Sequence, residues 1–296
     1  MSNKCTWTQA RQGAATGLIT LVSVIYVAEI FVVVPTFFQR GCTAFNLSCL
    51  FMTYEIINLL YNMLCMLFTD PSISSLMLVQ QAKNDWSYCL KCESVRPPRA
   101  HHCRRCDICV LRFDHHCTYM AQCVGHANMP YFIRLLLHVA FCCIFFTFFN
   151  MPFAMRFVYS DWQWWQFILC TFNPLPFMLI RWLSFHQFLV CLMTSFCAIL
   201  GPTFALFFAY HMRQVLRNET SVEVMISNSR NPTQICYEDE LRSVNYNVGW
   251  RGNLEQVLGR RWLVGFFIPF VPVSQTSDGL HFPSVPINAR TKTRDI

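Results

Sequence analysis

Four stretches of this 296-residue chain are each long and apolar enough to cross a bilayer as a helix, and nothing else in the sequence constrains the fold as much. They cover residues 17–38, 47–68, 131–152 and 188–210. A hydrocarbon core ~30 Å thick needs ~20 residues of helix, because every backbone N–H and C=O inside it must be satisfied within the segment. Composition agrees: 13% of residues are charged and 54% apolar, where a soluble domain carries about 25% charged. A fifth apolar stretch, residues 164–185, holds Pro174 and Pro176 in its middle and Arg181 beyond them. Proline interrupts the helical ladder, so this stretch predicts a lumenal loop or interfacial hairpin rather than a crossing. The run from Gly17 is too long for a signal-peptide core and lacks a clear small-residue cleavage site.

Charge sets the expected orientation. Seven Lys and Arg lie in residues 70–130 and ten follow His211, whereas Arg40 stands in one remaining loop and Arg156 and Arg181 in the other. The positive-inside rule places the first two regions in the cytosol, so the net charge of +7 reads as membrane flanks rather than a nucleic-acid-binding stripe. The expected organisation is a cytosolic N-terminus (1–16), helices one and two (17–68), a cytosolic Cys-rich domain (69–130), helices three and four with a lumenal loop (131–212) and a cytosolic tail (213–296), flexible from about Ser274. Glu29, Glu55, Arg134 and His138 fall within or near apolar runs, as interior partner pairs or functional groups. No convincing internal repeat is evident.

Seven of the 17 cysteines crowd between Cys89 and Cys123, with four histidines among them. Cys-x2-Cys pairs with interspersed His are chelating units for tetrahedral zinc in a reducing compartment. Cys89/Cys92 and Cys103/Cys106 are two such pairs, and Cys109 follows at the same spacing. Two sites need eight ligands; if six Cys and two His fill them, one Cys and two His remain. Cys117 directly follows Asp114, His115 and His116, which sets a thiol beside a base and an orienting carboxylate, the constellation of a nucleophile. Zinc chemistry alone leaves open that Cys117 is itself a ligand in a purely structural loop.

The Asp-His-His-Cys run within this array, between the second and third apolar helices, closely resembles the DHHC family of protein S-acyltransferases. Arg96-Pro97, Arg99, His101-His102, Cys123-Val124-Gly125, Asn128 and Phe132 also fall at family positions; residues 220–223 (TSVE) look like a weakened Thr-Thr-x-Glu motif, and residues 253–259 (NLEQVLG) like a C-terminal Asn-containing motif. The resemblance implies one structural zinc at Cys89, Cys92, His102 and Cys109 and a second at Cys103, Cys106, His116 and Cys123. Cys117 would then be the acyl-accepting nucleophile, His115 its base, Asp114 the orienting partner and His101 a positioning residue. Thr118-Tyr119 stand where the family usually has Pro-Trp, and Ala121-Gln122 where it has Asn-Asn; these departures bear on rate and acyl-chain selectivity.

The fold expected is an all-α polytopic membrane protein: four transmembrane helices with a cytosolic Cys/His-rich zinc domain of small β-hairpins between helices two and three. The activity implied is protein-cysteine S-palmitoylation. A long acyl group passes from acyl-CoA to Cys117, then to membrane-proximal cytosolic cysteines of protein substrates, at the endoplasmic reticulum or Golgi. Tyr119, Phe132 and Leu135 are candidates for the acyl chain, and Arg99, Arg104 and Arg105 for CoA phosphates, against ordinary helix packing and solvated surface charge. Nucleic acid is not an expected partner, since the loop carries five acids against seven bases and is tethered at both ends. The rival readings are a membrane adaptor with a structural zinc domain and, less well supported, a transporter.

Overall fold

The computed structural model describes residues 2–73, 86–158, 164–228, 244–283 and 285–286. The helices are α1 (Ser2–Ala28), α2 (Thr43–Phe68), α3 (Met129–Phe157), α4 (Trp164–Phe172), α5 (Leu175–Leu179), α6 (Phe185–Arg217), α7 (Ser221–Asn228), α8 (Trp250–Leu258) and α9 (Trp262–Phe267). The strands are β1 (Ser87–Cys89), β2 (Ser94–Arg96), β3 (His101–Cys103), β4 (Ile108–Val110), β5 (His115–Cys117), β6 (Gln122–Val124), β7 (Val244–Asn245) and β8 (Val285–Pro286), paired as four two-stranded antiparallel ribbons.

Four helical segments are long and apolar enough to cross a membrane: Gln12–Thr36, Thr43–Phe68, Met129–Phe157 and Phe185–Arg217. The fold is therefore mostly helical, with small hairpins carrying the Cys/His cluster between the second and third of them, as expected from sequence. The first span passes from α-helix through a π-turn at Glu29–Val33 to a 3-10 turn at Val34–Thr36. Helix α3 runs past Pro152, where the sequence suggested its end, to Phe157. A proline deletes one N–H and crowds one carbonyl, which bends a helix without ending it where the surroundings are apolar. In the fifth apolar stretch, α4 and α5 have 9 and 5 residues and are separated at Asn173-Pro174. At ~1.5 Å rise per residue neither reaches across a bilayer.

The chain divides into two compact units. The first comprises Met1–Ala15, Asn62–Arg134 and Tyr210–Ile296, the second Thr16–Tyr61 and Leu135–Ala209. In the second unit the buried ionisable side chains are paired: His138 Nδ1 lies 2.8 Å from Glu55 Oε2, and Asn150 Nδ2 donates to Glu29 Oε1 at 2.5 Å. These contacts favour the interior-partner reading of both glutamates. Leu50, Phe148 and Leu206 point outward and exposed, as residues facing hydrocarbon should.

The first unit contains the three central hairpins, and here the structure corrects the sequence reading. The hairpins are a repeat: Ser87, His101 and His115 each open a strand, pairing with Arg96, Val110 and Val124, and the register is the same in all three. Cys89, Cys103 and Cys117 end the first strands at steps of 14 residues. Glu93, Asp107 and Ala121 occupy equivalent left-handed positions in the turns, with φ of 49°, 56° and 47°. Hairpins two and three also share His-His-Cys in the first strand (101–103 and 115–117) and Cys-Val in the second (109–110 and 123–124), so the 14-residue period is written in side chains as well as in the backbone.

The tail is bound to these hairpins. Arg99, which the sequence offered for CoA phosphates or as solvated charge, is buried. Its guanidinium donates to both carboxylate oxygens of Glu223 (2.6 and 2.9 Å) and to Asn218 Oδ1 and O (3.0 and 2.6 Å). The rings of Tyr246 and Phe282 cover it at 4.3 and 4.7 Å. A fully partnered, aromatic-covered arginine joins elements more than a hundred residues apart and is unavailable to a ligand. The stretch from Ser274, expected to be flexible, is also tied down through residue 283: Gln275 Nε2 donates to the carbonyls of His126 and Val257 at 2.9 and 2.8 Å. The last ten residues lie outside the described ones.

Candidate metal centres and active site

Two sets of four ligand atoms come together in the hairpins: Cys89, Cys92, His102 and Cys109, and Cys103, Cys106, His116 and Cys123. In the first, the three sulfurs lie 3.7, 3.2 and 3.9 Å from His102 Nδ1; in the second, 3.7, 3.2 and 3.8 Å from His116 Nδ1. Tetrahedral zinc with Zn–S ~2.3 Å and Zn–N ~2.0 Å holds sulfur and nitrogen ~3.6 Å apart, so both clusters could hold such an ion. Asp107 Oδ1 stands 3.5 Å from His102 Nε2, the ring nitrogen turned away from the cluster, with no hydrogen bond between them.

The hairpin repeat explains the membership of each set. The turn of hairpin one supplies Cys89 and Cys92; the paired residues His102 and Cys109 of hairpin two complete the set. The turn of hairpin two supplies Cys103 and Cys106; His116 and Cys123, again paired across the ribbon, complete the second. The turn of hairpin three offers Cys117 and, at the next ligand position, Met120. No fourth hairpin follows, because the chain enters α3 at Met129. Cys117 thus belongs to neither set and occupies the place of a first ligand in a turn with nothing to ligate.

A third grouping surrounds this thiol. Asp114 is 1% exposed and receives three hydrogen bonds: His115 Nδ1 to Oδ2 at 2.8 Å, Ser221 N to Oδ1 at 2.9 Å and Ser221 Oγ to Oδ2 at 2.9 Å. Burial alone would raise the Asp114 carboxyl; the bond from His115 and the neighbouring charges hold it below its ordinary value. Burial likewise opposes protonation of His115, but its hydrogen bonds to Asp114 and Cys117 outweigh that and raise its pKa to about 9. Since Nδ1–H is directed to Asp114, Nε2 is the ring nitrogen left to exchange a proton with the thiol, and with a pKa of about 9 the ring holds that proton as the imidazolium at neutral pH. Such a set can deprotonate a thiol and stabilise the resulting imidazolium.

Residues 82–228 match the family described as DHHC palmitoyltransferase. The chain is 30% identical over 230 residues to the rat protein named "Probable palmitoyltransferase ZDHHC24" (Rattus norvegicus), an alignment spanning 77% of this chain and 75% of the relative. The chain belongs to the DHHC palmitoyltransferase family. It is a protein S-acyltransferase. Palmitoyltransferase ZDHHC2 of Mus musculus is 28% identical over 68% of this chain and 47% of the relative, and palmitoyltransferase spe-10 of Caenorhabditis elegans 27% identical over 70% and 51%.

Its departures from the DHHC pattern can be placed. Ser221 stands at the second Thr of the Thr-Thr-x-Glu motif and supplies the hydroxyl and N–H that hold Asp114, while Glu223 holds Arg99. The substitution therefore keeps the chemistry of the motif. Asn253 donates to the Leu216 carbonyl (2.8 Å) and to Asn247 Oδ1 (2.7 Å), fastening α8 to the end of α6. Gln122 Nε2 reaches the Thr69 carbonyl at 2.9 Å. Tyr119 is 72% exposed, whereas the Phe132 ring is buried 5.1 Å from that of His115. Leu135 belongs to the second unit. His101 is half-buried in β3, and Arg104 and Arg105 are exposed, Arg105 reaching Thr118 Oγ1 at 3.4 Å.

Nothing in the sequence pointed to His211. It sits near the end of α6, its ring 5.5 Å from His115 and 5.0 Å from Phe132, with Nδ1 3.8 Å from Asp114 Oδ2. A histidine in the last turns of a membrane helix reads as an interfacial side chain, and only the fold sets it beside the DHHC residues.

Proposed function

We propose that Cys117 is the acyl-carrying nucleophile of a two-step transfer from acyl-CoA to protein cysteines, with His115 as base and Asp114 as its orienting partner. The observation that carries this reading is the spare thiol: both four-ligand sets are complete without Cys117, and this thiol is paired with a histidine held by a buried carboxylate. His115 Nε2 takes the Cys117 proton, and Asp114 stabilises the imidazolium. The thiolate attacks the thioester carbonyl carbon, and the imidazolium returns its proton to the departing CoA sulfur. A substrate cysteine then repeats the sequence against the acyl-enzyme, restoring free Cys117. One thioester replaces another at each step, so positioning and thiolate generation supply most of what is needed. Phe132, beside His115, is the best-placed of the three acyl-chain candidates.

Six cysteines with His102 and His116 would hold two zinc ions, which would cross-link consecutive hairpins and fix the turn that bears Cys117. The basic loop and tail support a cytosolic active face with both termini on that side, in the endoplasmic reticulum or Golgi, acting on membrane-proximal cysteines. The test is intact-mass analysis of purified protein after palmitoyl-CoA, with zinc quantified in the same sample. Wild type should gain one hydroxylamine-labile acyl group. Cys117→Ser should gain none while keeping two zinc ions per chain. Equal acylation of both, or loss of a zinc in the variant, would overturn the assignment.

A further inference from the structure

The tail segment at residues 260–270 has a composition that water does not suit. Helix α9 turns Gly265 and Phe266 inward, with the Gly265 α-carbon against the Arg134 guanidinium, where a Cβ would fall on Arg134. The opposite face presents Leu263, Val264 and Phe267, continued by Ile268 and Phe270, all about half exposed or more. No charged or polar residue interrupts this run. Immediately before it, the exposed Arg260 and Arg261 line a groove of about 520 Å³ with Pro272, Ser274, Gln275 and Thr276. The groove is braced: Arg260 N donates to the Ser274 carbonyl at 3.1 Å, Thr276 N to the Glu255 carbonyl at 3.2 Å, and Gln275 is fixed to two further carbonyls. Gly259 allows the close approach, since its φ of 91° is left-handed and a Cβ there would lie 2.9 Å from the Ser274 backbone.

We propose that residues 260–276 form a seat for an anionic glycerophospholipid. Arg260 and Arg261 hold the phosphate in the groove, with the Ser274 and Thr276 hydroxyls at its rim, and the acyl chains cover Leu263, Val264, Phe267 and Phe270. Two observations converge on one occupant. The apolar face calls for hydrocarbon, and the adjoining cavity has two cations and no acid in its lining. A soluble anion would leave the five apolar side chains in water, and a zwitterionic lipid would leave the second arginine unmatched. The inference is independent of the acyl-transfer chemistry assigned to Cys117.

The test uses full-length protein in detergent, titrated separately with dioctanoyl phosphatidylserine, dioctanoyl phosphatidylcholine and inorganic phosphate, and read by amide hydrogen exchange over residues 258–277. Phosphatidylserine should protect this segment saturably. The other two probes should protect it weakly or not at all. Each arginine contributes about fivefold to affinity for an anionic surface, so Arg260→Gln/Arg261→Gln should weaken phosphatidylserine binding on the order of 25-fold. Leu263→Ser/Phe267→Ser should weaken it through the apolar half alone. Unchanged zinc content and unchanged exchange at residues 87–124 establish that the variants are folded. Equal protection by phosphatidylcholine, equal protection by phosphate, or undiminished binding by the arginine variant would each overturn the proposal.

Discussion

Replacing Ser221 by alanine tests the link between the tail and the thiol more sharply than changing the catalytic residues themselves. The substitution removes one of the three hydrogen bonds to Asp114, the 2.9 Å contact from Oγ to Oδ2, and leaves the backbone N–H on Oδ1 and His115 on Oδ2. A hydrogen bond to a charged group contributes ~1.5–3 kcal/mol net. Asp114 is 1% exposed, so water cannot readily replace the lost donor. The carboxylate then becomes easier to protonate and freer to rotate, and less able to support the His115 imidazolium. If about half of that energy is felt in the transition state, autoacylation should slow roughly three- to twelvefold at ~1.4 kcal/mol per decade. Ser221→Thr keeps the hydroxyl and should stay near the wild-type rate. The assay is the initial rate of hydroxylamine-labile acylation from palmitoyl-CoA, with zinc content as the control for folding. A Ser221→Ala enzyme at full rate with both zinc ions in place would refute the idea that the tail tunes the active site through Asp114.

His211→Gln should lower the autoacylation rate several-fold with both zinc ions retained, because it removes the ring beside His115 and Phe132 without touching a ligand set; an unchanged rate would reduce His211 to a spacer. Cys109→Ser should leave one zinc per chain by metal analysis, with rapid amide exchange at residues 87–110, whereas two retained ions would break the assigned ligand sets. Ala121 has φ of 47°, and a left-handed L-residue costs ~1–2 kcal/mol. Ala121→Gly should therefore stabilise the fold by about 0.5–1 kcal/mol once the added chain entropy is subtracted, read as a raised thermal midpoint; a lowered midpoint would contradict the strain. His126 is buried, and desolvation together with Arg112 lowers its pKa from 6.5 to about 4. The unfolded chain then binds this proton first, so its contribution is full above pH 6.5 and is lost as pH falls toward 4, on the order of 3 kcal/mol in all. Thermal unfolding from pH 7.5 to 5 should be steeper in wild type than in His126→Gln, and identical pH profiles would exclude it.

Much of the site was legible because local spacing encodes it. Cys-x2-Cys turns chelate whatever surrounds them, and the adjacency of Asp114, His115 and Cys117 survives any fold that keeps the strand extended. The roles of Arg99, Ser221 and His211 were not legible, since their partners lie up to 124 residues away and no periodicity links them. Arg99 shows the difficulty most plainly. An arginine in a basic loop looks like solvated charge until Glu223, Asn218, Tyr246 and Phe282 are seen to enclose it. The hairpin repeat is written in the sequence as His-His-Cys at 101–103 and 115–117 and Cys-Val at 109–110 and 123–124, but the equivalence of all three turns shows only in the backbone, because the left-handed residue there is Glu, Asp or Ala.

By itself the amino-acid order determined that four apolar segments seek a bilayer, that thiols and imidazoles in the loop between the second and third suffice for two metals, and that one thiol stands beside a base. These follow from hydropathy, ligand chemistry and adjacency, which need no long-range contact. Spacing alone left open which cysteines group together, and the two sets came from the family resemblance; the tertiary structure supplies the physical reason, because each set is drawn from two consecutive hairpins whose register brings a His and a Cys opposite one another. The third hairpin has no successor to meet its turn, and that leaves the Cys117 sulfur outside both ligand sets.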